Sequence, residues 1–254
     1  MAGVNSGHAV PYEDTHSGRV AFLREVAPFA TLSDEALTVI VKDFQLLFYK
    51  RGEIIFGQGD RTNDIYVIAT GKIRVYKVSP SGVETSINIF FPTDIVGEFA
   101  AIDSKPRSAA AKAVGRCGLL VMSQAKLLDH MRAFPDIAIE MNKLLTAKLR
   151  WTATYAETVA QYDAAGRLLH TILLYNELYG QEEVPGKRYR LNLALNQADL
   201  ASLIGARREW VNRLLKDWRE RGLLEYRGRQ IIILDLPRVE QERNSLLESK
   251  RPKW

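Results

Sequence analysis

The 254 residues are 46% hydrophobic and 26% charged with a formal net charge of +5, which predicts a globular protein of one large or two modest domains. No run of 18 apolar residues is present, so a membrane-spanning helix is excluded, and residues 1–18 lack the basic and apolar regions of a secretory signal. The single Cys117 excludes an internal disulfide and an all-cysteine zinc or iron–sulfur site. Because the four histidines also lack ligand spacing, we expect a cytoplasmic protein without a bound metal.

The first 45 residues contain a tail and two helical pieces. We interpret residues 1–19 as a mobile N-terminal tail. In residues 20–45, Ser33 followed by two acidic residues is a helix cap. The apolar stripe of that helix consists of Leu37, Ile40, Val41 and Phe44.

From residue 46 the pattern changes to short strands separated by glycine. The predicted strands are residues 46–49, 54–56, 65–68, 73–78, 85–91 and 119–122. Six or more short strands within about 80 residues predict a β-sandwich or a β-roll. A parallel α/β sheet is not expected, because no long helices lie between the strands.

A possible anion site lies between two of these strands. Gly97 allows close approach of the backbone, a short helix beginning near Glu98 offers free N–H groups, and Arg107 can bind a phosphate through two N–H groups. The spacing alone is equally consistent with a surface turn that happens to contain a glutamate and an arginine. The residues themselves therefore leave both interpretations open.

The stretch G-E-F-A followed by P-R-S-A resembles the phosphate-binding cassette of cyclic-nucleotide-binding domains, and residues 51–71 match the first half of that domain. The resemblance implies that Glu98 holds the ribose 2′-hydroxyl while Arg107 and Ser108 hold the cyclic phosphate, with cyclic AMP as the effector. Thr93 stands where many members have glycine. The expected ligand-binding cassette residues are Gly97, Glu98, Phe99, Ala100, Arg107, Ser108 and Ala109.

Residues 136–162 contain neither glycine nor proline and predict one long helix. Along one side of this helix runs a mostly apolar stripe whose residues are spaced 3, 4, 3, 4 and 3 positions apart. This spacing is typical of a two-stranded coiled coil. The stripe consists of Asn142, Leu145, Leu149, Thr152, Ala156 and Val159. The alternative is a single helix packed on its own β domain.

After this helix, Asp163 is expected to cap another helix that runs from Gly166 to about Tyr179, and residues 180–190 are expected to form a polar loop. Residues 164–254 contain 17 Lys and Arg against 12 Asp and Glu, whereas residues 1–163 contain 18 of each. The excess positive charge therefore lies entirely in the C-terminal part, as phosphate binding would require. A basic surface without a partner is the alternative.

Residues 196–216 predict a helix, a turn at Gly205 and a second helix, with Asn196 as the cap of the first. Two short strands around Gly228 then form a β wing. The polar residues of the second helix lie at its N-terminal end, where reading helices contact bases. An ordinary amphipathic helix pair with a solvated charged face is the alternative.

The second helix resembles the recognition helix of the cyclic AMP receptor protein (CRP/FNR) family of bacterial transcription regulators. The family motif R-E-x-V-x-R is matched by Arg208, Glu209, Val211 and Arg213. The resemblance implies that Arg208 and Arg213 donate to guanine and that Glu209 accepts from cytosine in a TGTGA-like half-site. Position 210 is Trp here, where the family more often has a smaller residue, and this indole can contact the DNA backbone or pack inward. The expected DNA-binding residues are Gln197, Arg207, Arg208, Glu209, Asn212, Arg213, Lys216, Arg227 and Arg229.

The family also dimerises through the long helix, and polar residues near its middle contact the adenine. Thr152 matches the first of these, whereas the second, often serine, is Ala153. The expected dimer residues are Leu145, Leu149, Thr152, Ala156 and Val159.

We therefore predict an α+β protein with an N-terminal β-roll (a double-stranded β-helix or jelly roll), a long dimerisation helix and a C-terminal winged helix-turn-helix. The expected segments are a tail at residues 1–19, a cyclic-nucleotide-binding domain at 20–134, the dimer helix and hinge at 135–162, a DNA-binding domain at 163–236 and a charged tail at 237–254. We expect residues 236–254 to form a short helix with a frayed end.

The expected function is that of a non-enzymatic homodimer that responds to cyclic AMP, binds an inverted-repeat operator and acts on RNA polymerase. Two alternatives remain. One is a family member that needs no effector, and the other is a regulatory cyclic-nucleotide-binding module of another system. A catalytic role is not expected, because residues 164–254 contain no phosphate-binding loop and no nucleophile–base pair.

Overall fold

The structure, a computed structural model, describes residues 12–247. These residues form two compact units that divide between Leu149 and Arg150, within the longest helix. We call them the N-terminal unit and the C-terminal unit. The outer parts of the two predicted tails, residues 1–11 and 248–254, lie outside the described residues.

The N-terminal unit begins with helices, as predicted. Its helices are α1 (His16–Leu23), α2 (Asp34–Ile40), α3 (Glu98–Asp103), α4 (Gln124–Ala133) and the first part of α5 (Pro135–Gln161). The Ser33 side chain accepts a hydrogen bond from the Ala36 N–H at 3.3 Å, which confirms the predicted cap of α2. Helix α1 begins inside the segment predicted as a tail, because Thr15 caps it and Phe22 is fully buried.

All six predicted runs form strands of this unit, with small differences in their ends. They are β1 (Gln45–Tyr49), β2 (Ile54–Phe56), β3 (Ile65–Thr70), β4 (Ile73–Val78), β5 (Glu84–Phe90), β6 (Ile95–Val96), β7 (Ala110–Ala113) and β8 (Cys117–Met122). Within the described residues they form two four-stranded antiparallel sheets, with the orders β1-β8-β3-β6 and β2-β7-β4-β5.

Strand β3 shows how the core is divided, because its side chains alternate between two faces. Tyr66 and Ile68 face a core between the two sheets, together with Ile73 of β4 and Leu119 of β8. Ile65 and Val67 face the other side, where α1, α2 and the start of α5 cover the sheet. The fold is therefore a two-sheet β-roll with one sheet covered by helices.

Strands β6 and β7 and helix α4 were not predicted from the sequence. The β7 sequence A-A-K-A consists mostly of alanine, which is depleted in strands. Ala110, Ala111 and Ala113 are nevertheless buried, since their small side chains fit where β7 pairs with β2 and β4. Tertiary packing has overridden local preference at this strand.

Helix α5 spans Pro135–Gln161 and confirms the long helix predicted over residues 136–162. Pro135 at its first turn costs no hydrogen bond, since the first N–H groups of a helix have no partner within it. The part of α5 up to Leu149 belongs to the N-terminal unit and the part from Arg150 to the C-terminal unit.

After α5, the C-terminal unit has a mixed composition of helices and strands. Its elements are α6 (Ala164–Tyr179), β9 (Gly180–Val184), β10 (Arg188–Leu191), α7 (Gln197–Ile204), α8 (Arg208–Glu220), β11 (Leu224–Arg227), β12 (Gln230–Ile233) and α9 (Leu236–Ser245). The Asp163 side chain accepts from the Gly166 N–H at 2.8 Å and caps α6, as predicted. The strands form one sheet in the order β11-β12-β10-β9.

The polar loop predicted for residues 180–190 is wrong, because β9 and β10 form an antiparallel hairpin there. Gly186 has a φ of 63° and makes the turn possible. Glu183 on β9 pairs with Arg188 (2.8 Å) and with Arg190. The polar composition that suggested a loop instead supplies the side-chain pairs of an exposed edge hairpin.

The C-terminal segment contains the short helix that the sequence predicted, α9. Val239 of α9 is fully buried, which anchors the helix. Beyond it, Leu247 forms a β-bridge with Tyr162, and the Asp163 N–H points to the Leu246 carbonyl at 3.5 Å.

None of the helices among residues 12–247 has the length and apolar character that a membrane span requires.

Candidate nucleotide-binding cassette and nucleic-acid interface

The cassette begins at Gly97, which adopts a left-handed conformation (φ 86°) and leads into α3. A Cβ atom at this position would lie 2.7 Å from Nη1 of Arg107 and 2.9 Å from the Asp64 carbonyl oxygen. Both the conformation and the available space therefore require glycine. The requirement for glycine thus arises within the chain, from the close approach of Arg107 and the Asp64 carbonyl, and the predicted approach of a ligand to Gly97 stays a prediction.

Arg107 is 3% exposed and is held in place from three sides. Its Nη1 donates to the Gly97 carbonyl at 2.7 Å, its Nη2 to the Asp64 carbonyl at 2.8 Å and its Nε to the Thr62 hydroxyl at 3.1 Å. The guanidinium also lies 4.3 Å from the centre of the Phe56 ring. The side chain is thus fixed before any ligand is present.

Tyr66, which lies beside the Arg107 guanidinium, is uncharged and does not neutralise it. Burial raises the pKa of Tyr66 to about 12, so its phenol stays neutral beside the guanidinium. Burial likewise lowers the pKa of Arg107 from its ordinary value, against the opposing effects of Tyr66 and Asp64, but an arginine remains protonated in proteins. A buried positive charge is therefore available to an anion.

Glu98 is 4% exposed and already has a cationic partner. Its Oε1 lies 2.8 Å from Nζ of Lys148, which comes from the first part of α5. The same Nζ donates to the Ile95 carbonyl at 2.7 Å and lies 4.7 Å from the centre of the Phe90 ring. The carboxylate that the family resemblance assigns to a ribose hydroxyl is thus ion-paired within the chain.

The remaining cassette residues differ in exposure. Ala100 and Ala109 are buried, whereas Phe99 and Ser108 are exposed at the surface. Thr152 and Ala153 are also exposed, and they belong to the C-terminal unit rather than to the unit that contains the cassette.

Sequence reasoning missed three participants in this site. Lys148 gave only a weak signal, a basic residue one helical turn before Thr152. Thr62 and Asp64 act on Arg107 through a hydroxyl and a backbone carbonyl, and such contacts leave no pattern in the sequence.

The predicted dimer stripe of α5 is largely uncovered. Leu149 is 70% exposed, Val159 and Ala156 are exposed, and Leu145 is half-buried. Apolar side chains in a row along a helix favour a partner that covers them. The start of α5 does pack on the β domain, through the buried Ile137 and Met141, but most of the stripe is not covered by the described residues.

The helix-turn-helix is built as the sequence predicted. The Asn196 side chain accepts from the N–H groups of Ala198 (2.8 Å) and Asp199 (2.9 Å), and Asp199 accepts from the Asn196 N–H at 2.9 Å, which forms a reciprocal capping box. Gly205 ends α7 with a φ of 66°. The buried face of the pair consists of Leu200, Leu203, Ile204, Val211, Leu215 and Trp218.

The opposite face of α8 is exposed and highly charged. Arg208, Glu209, Arg213 and Lys216 are all exposed, and so is Asn212, whose Oδ1 accepts from Nε2 of Gln197 at 2.9 Å. With the described residues, Arg208 and Arg213 form neither a hydrogen bond nor an ion pair. Arg207, Glu209, Trp210 and Arg213 line an open concavity of about 490 Å³ at the N-terminal end of the helix.

The wing is a tight hairpin between β11 and β12. Gly228 (φ 56°) and Arg229 (φ 71°) occupy its two turn positions, as a two-residue type I′ turn requires. Arg227 is exposed and pairs with Glu225 at 3.2 Å, and Arg229 is exposed at the tip. The Tyr226 hydroxyl donates to the Leu195 carbonyl at 2.9 Å and fixes the wing next to the start of α7.

Known proteins resemble this chain over most of its length. The CRP-like cAMP-activated global transcriptional regulator of Mycobacterium tuberculosis is 28% identical over 211 residues, 83% of this chain and 93% of that protein. The cyclic AMP receptor protein of Thermus thermophilus is 29% identical over 196 residues, 77% of this chain and 87% of that protein. The structure of a CooA mutant from Carboxydothermus hydrogenoformans has a TM-score of 0.70 at 23% identity and covers 91% of this chain and 97% of that one.

The two functional regions also match family profiles. The cyclic nucleotide-binding domain matches residues 46–134, and the Crp-like helix-turn-helix domain matches residues 166–242. The chain belongs to the CRP/FNR family of transcription regulators. Proteins of the CRP/FNR family regulate transcription and are not enzymes. In this chain, a cyclic-nucleotide-binding domain is followed by a helix-turn-helix domain that binds DNA.

Proposed function

We propose that this CRP/FNR regulator is a homodimer that binds cyclic AMP in its N-terminal unit and a TGTGA-like inverted repeat through α8, and then acts on RNA polymerase. The observation that supports the effector most is the buried Arg107, held beside Gly97 and the start of α3. The relatives in Mycobacterium tuberculosis and Thermus thermophilus are named for their response to cyclic AMP.

The phosphate of the ligand would bind Arg107 and Ser108. Because three N–H groups of Arg107 already hold the side chain in place, its orientation costs little entropy when the ligand binds. A charge-assisted pair with a phosphate is stronger than a neutral hydrogen bond. The exposed hydroxyl of Ser108 follows Arg107 directly in the chain.

The ribose would bind Glu98 and the adenine would bind near Thr152. Since Lys148 already pairs with Oε1 of Glu98, a ribose hydroxyl is expected to compete with this lysine for the carboxylate. Thr152 supplies a hydroxyl for the adenine, whereas Ala153 cannot supply a second one. The base is therefore expected to contribute less to binding than the phosphate.

The operator would be read by the exposed face of α8. Arg208 and Arg213 would donate to guanine O6 and N7, and Glu209 would accept from a cytosine amine. Lys216, Arg227 and Arg229 would contact phosphates, which position the helix without reading sequence. Two-fold symmetry of the dimer, formed along the exposed α5 stripe, requires half-sites about one helical turn apart.

One experiment tests the effector, the operator and the dimer of this proposal together. Binding of the full chain to an inverted TGTGA repeat would be measured with and without cyclic AMP, with cyclic GMP as a matched ligand control. Sedimentation would be measured in parallel for the wild type and for Leu149→Glu. We expect cyclic AMP to tighten operator binding, and we expect Leu149→Glu to be monomeric, because two like charges would meet in the seam.

The results also separate a second candidate. The Glu98–Lys148 pair and Ala153 favour a regulator that needs no effector. Operator binding that is tight and unchanged by millimolar cyclic AMP would support that candidate. A wild type that stays monomeric at micromolar concentration would contradict the dimer, and equal affinity for random DNA would contradict sequence-specific regulation.

A further inference from the structure

Trp210 is a large, mostly apolar residue beside the exposed charged residues of α8. It is the third residue of α8, and Arg207 and Arg213 lie three positions before and after it. Residues three apart share one side of a helix, so the indole lies between two guanidinium side chains. All three line the concavity at the N-terminal end of α8.

The indole does not belong to the core of the helix-turn-helix. The core face of α8 consists of Val211, Leu215 and Trp218, each at most 3% exposed. Trp210 lies one position away from that stripe, is half-buried and lines the open side of the helix. Of the two orientations open to this indole, lining the outer surface therefore describes it and inward packing does not.

The surface around Trp210 is chemically complementary to the edge of a DNA base and to the DNA backbone. Arginines at both ends can pair with phosphate oxygens or with guanine, whereas the indole has one donor, the Nε1–H at its edge, and a face that makes apolar contacts. In the major groove, the apolar group that a base pair presents is the C5-methyl of thymine. An exposed apolar surface at the reading end of the helix is complementary to that methyl.

We infer that Trp210 is a specificity-determining residue that contacts a thymine methyl in the operator, while Arg207 and Arg213 contact the flanking DNA. The inference rests on the proposed DNA-binding function and adds a second type of readout to it. Hydrogen bonds from Arg208, Glu209 and Arg213 would read guanine and cytosine, and Trp210 would read thymine by shape. Deoxyuridine has the same hydrogen-bonding edge as thymidine but lacks the methyl.

This difference provides the test. An operator would first be selected with the wild-type protein, and each thymine of its half-site would then be replaced in turn by deoxyuridine. For the wild type we expect affinity to fall about fourfold at one position, since burial of a group the size of a methylene is worth about 0.8 kcal/mol. Trp210→Ser should bind the thymine and deoxyuridine operators equally at that position, because serine has no methyl group to contact the thymine methyl, whereas Trp210→Phe should keep part of the difference. Thermal unfolding of both variants establishes that α8 remains folded.

The outcomes distinguish the inference from the function on which it rests. If the wild type selects an operator but shows no deoxyuridine effect, or if Trp210→Ser retains the full effect, the methyl readout is wrong and the regulator function stands. Equal weakening of all sequences by Trp210→Ser would assign the indole to the DNA backbone and overturn the inference. If the wild type selects no sequence, the proposed function fails, and the inference fails with it.

Discussion

In the cassette, Glu98 and Arg107 are buried and already bonded to their own chain, whereas Arg208 and Arg213 of α8 are exposed and form no ion pair with a described residue. A nucleotide must therefore replace or extend existing contacts, and its affinity is a difference between two sets of bonds. DNA instead adds contacts to solvated charges, and its affinity follows the release of counterions. The chain thus has two separate sites: a nucleotide site whose affinity depends on exchanged contacts, and a DNA site whose affinity depends on salt.

The largest effect expected from this comparison is that of Arg107→Ala. It should weaken cyclic AMP binding by about 2–5 kcal/mol, because a buried charged partner of the phosphate is lost. It should also lower the free energy of unfolding, since the Gly97 and Asp64 carbonyls lose their donors. Calorimetry and chemical denaturation measure the two effects.

The exposed Arg116→Ala is the matched control and should change neither quantity. Arg107→Lys keeps the charge but not the planar arrangement of donors, and should fall between the wild type and Arg107→Ala. Unchanged cyclic AMP binding by a folded Arg107→Ala protein would show that this arginine does not hold the phosphate.

Arg213→Ala should have the next largest effect and should act on binding alone. We expect a loss of about 1–3 kcal/mol and a relaxed preference at one base pair. Because Arg213 is exposed and has no partner among the described residues, the free energy of unfolding should change by less than about 0.5 kcal/mol. Selection from a randomised half-site library, together with denaturation, measures both.

The wing residue Arg229 provides the comparison for Arg213. Arg229→Ala should weaken binding to all sequences alike and reduce the salt slope by about one unit. If Arg213→Ala behaved in the same way, with an unchanged selected sequence, its assignment to a base would be wrong.

Lys148→Met should have the smallest effect on cyclic AMP affinity. Whether the affinity rises or falls tests whether the ribose replaces Lys148 as the partner of Glu98. If Lys148 competes with the ribose for Glu98, removing it should tighten cyclic AMP binding by up to about tenfold, or about 1.4 kcal/mol. The free protein should become less stable, because Glu98 would keep a buried charge without its cation. Weaker cyclic AMP binding by a folded variant would contradict competition and place the lysine among the ligand contacts.

Sequence reasoning was most successful where one residue determines a local structure. The caps at Ser33, Asp163 and Asn196 act through hydrogen bonds to residues two or three positions away, so their pattern is visible in the sequence. The bounds of β4 were also predicted correctly, because its apolar and β-branched residues lie between two glycines.

It failed where a partner comes from elsewhere in the chain. Strand β7 consists mostly of alanines, which pack where it pairs with β2 and β4. The β9–β10 hairpin was missed for a different reason, because its charged pairs are local but have the composition of a loop. In the cassette, the motif named Glu98 and Arg107 but not Lys148, which lies 50 positions after Glu98. Local patterns thus located the site, whereas its internal bonds depend on tertiary structure.

The bridge between Tyr162 and Leu247 has a consequence for the order in which the protein is made. It joins the entry of the C-terminal unit to one of the last described residues, so that unit encloses nearly all of its own sequence in a single loop. Domains generally fold in order as the ribosome delivers them. The N-terminal unit can complete both of its sheets while synthesis continues, but the bridge at the base of α6 must wait for the final segment. A nascent chain can therefore hold a finished nucleotide cassette before its DNA-reading unit has closed.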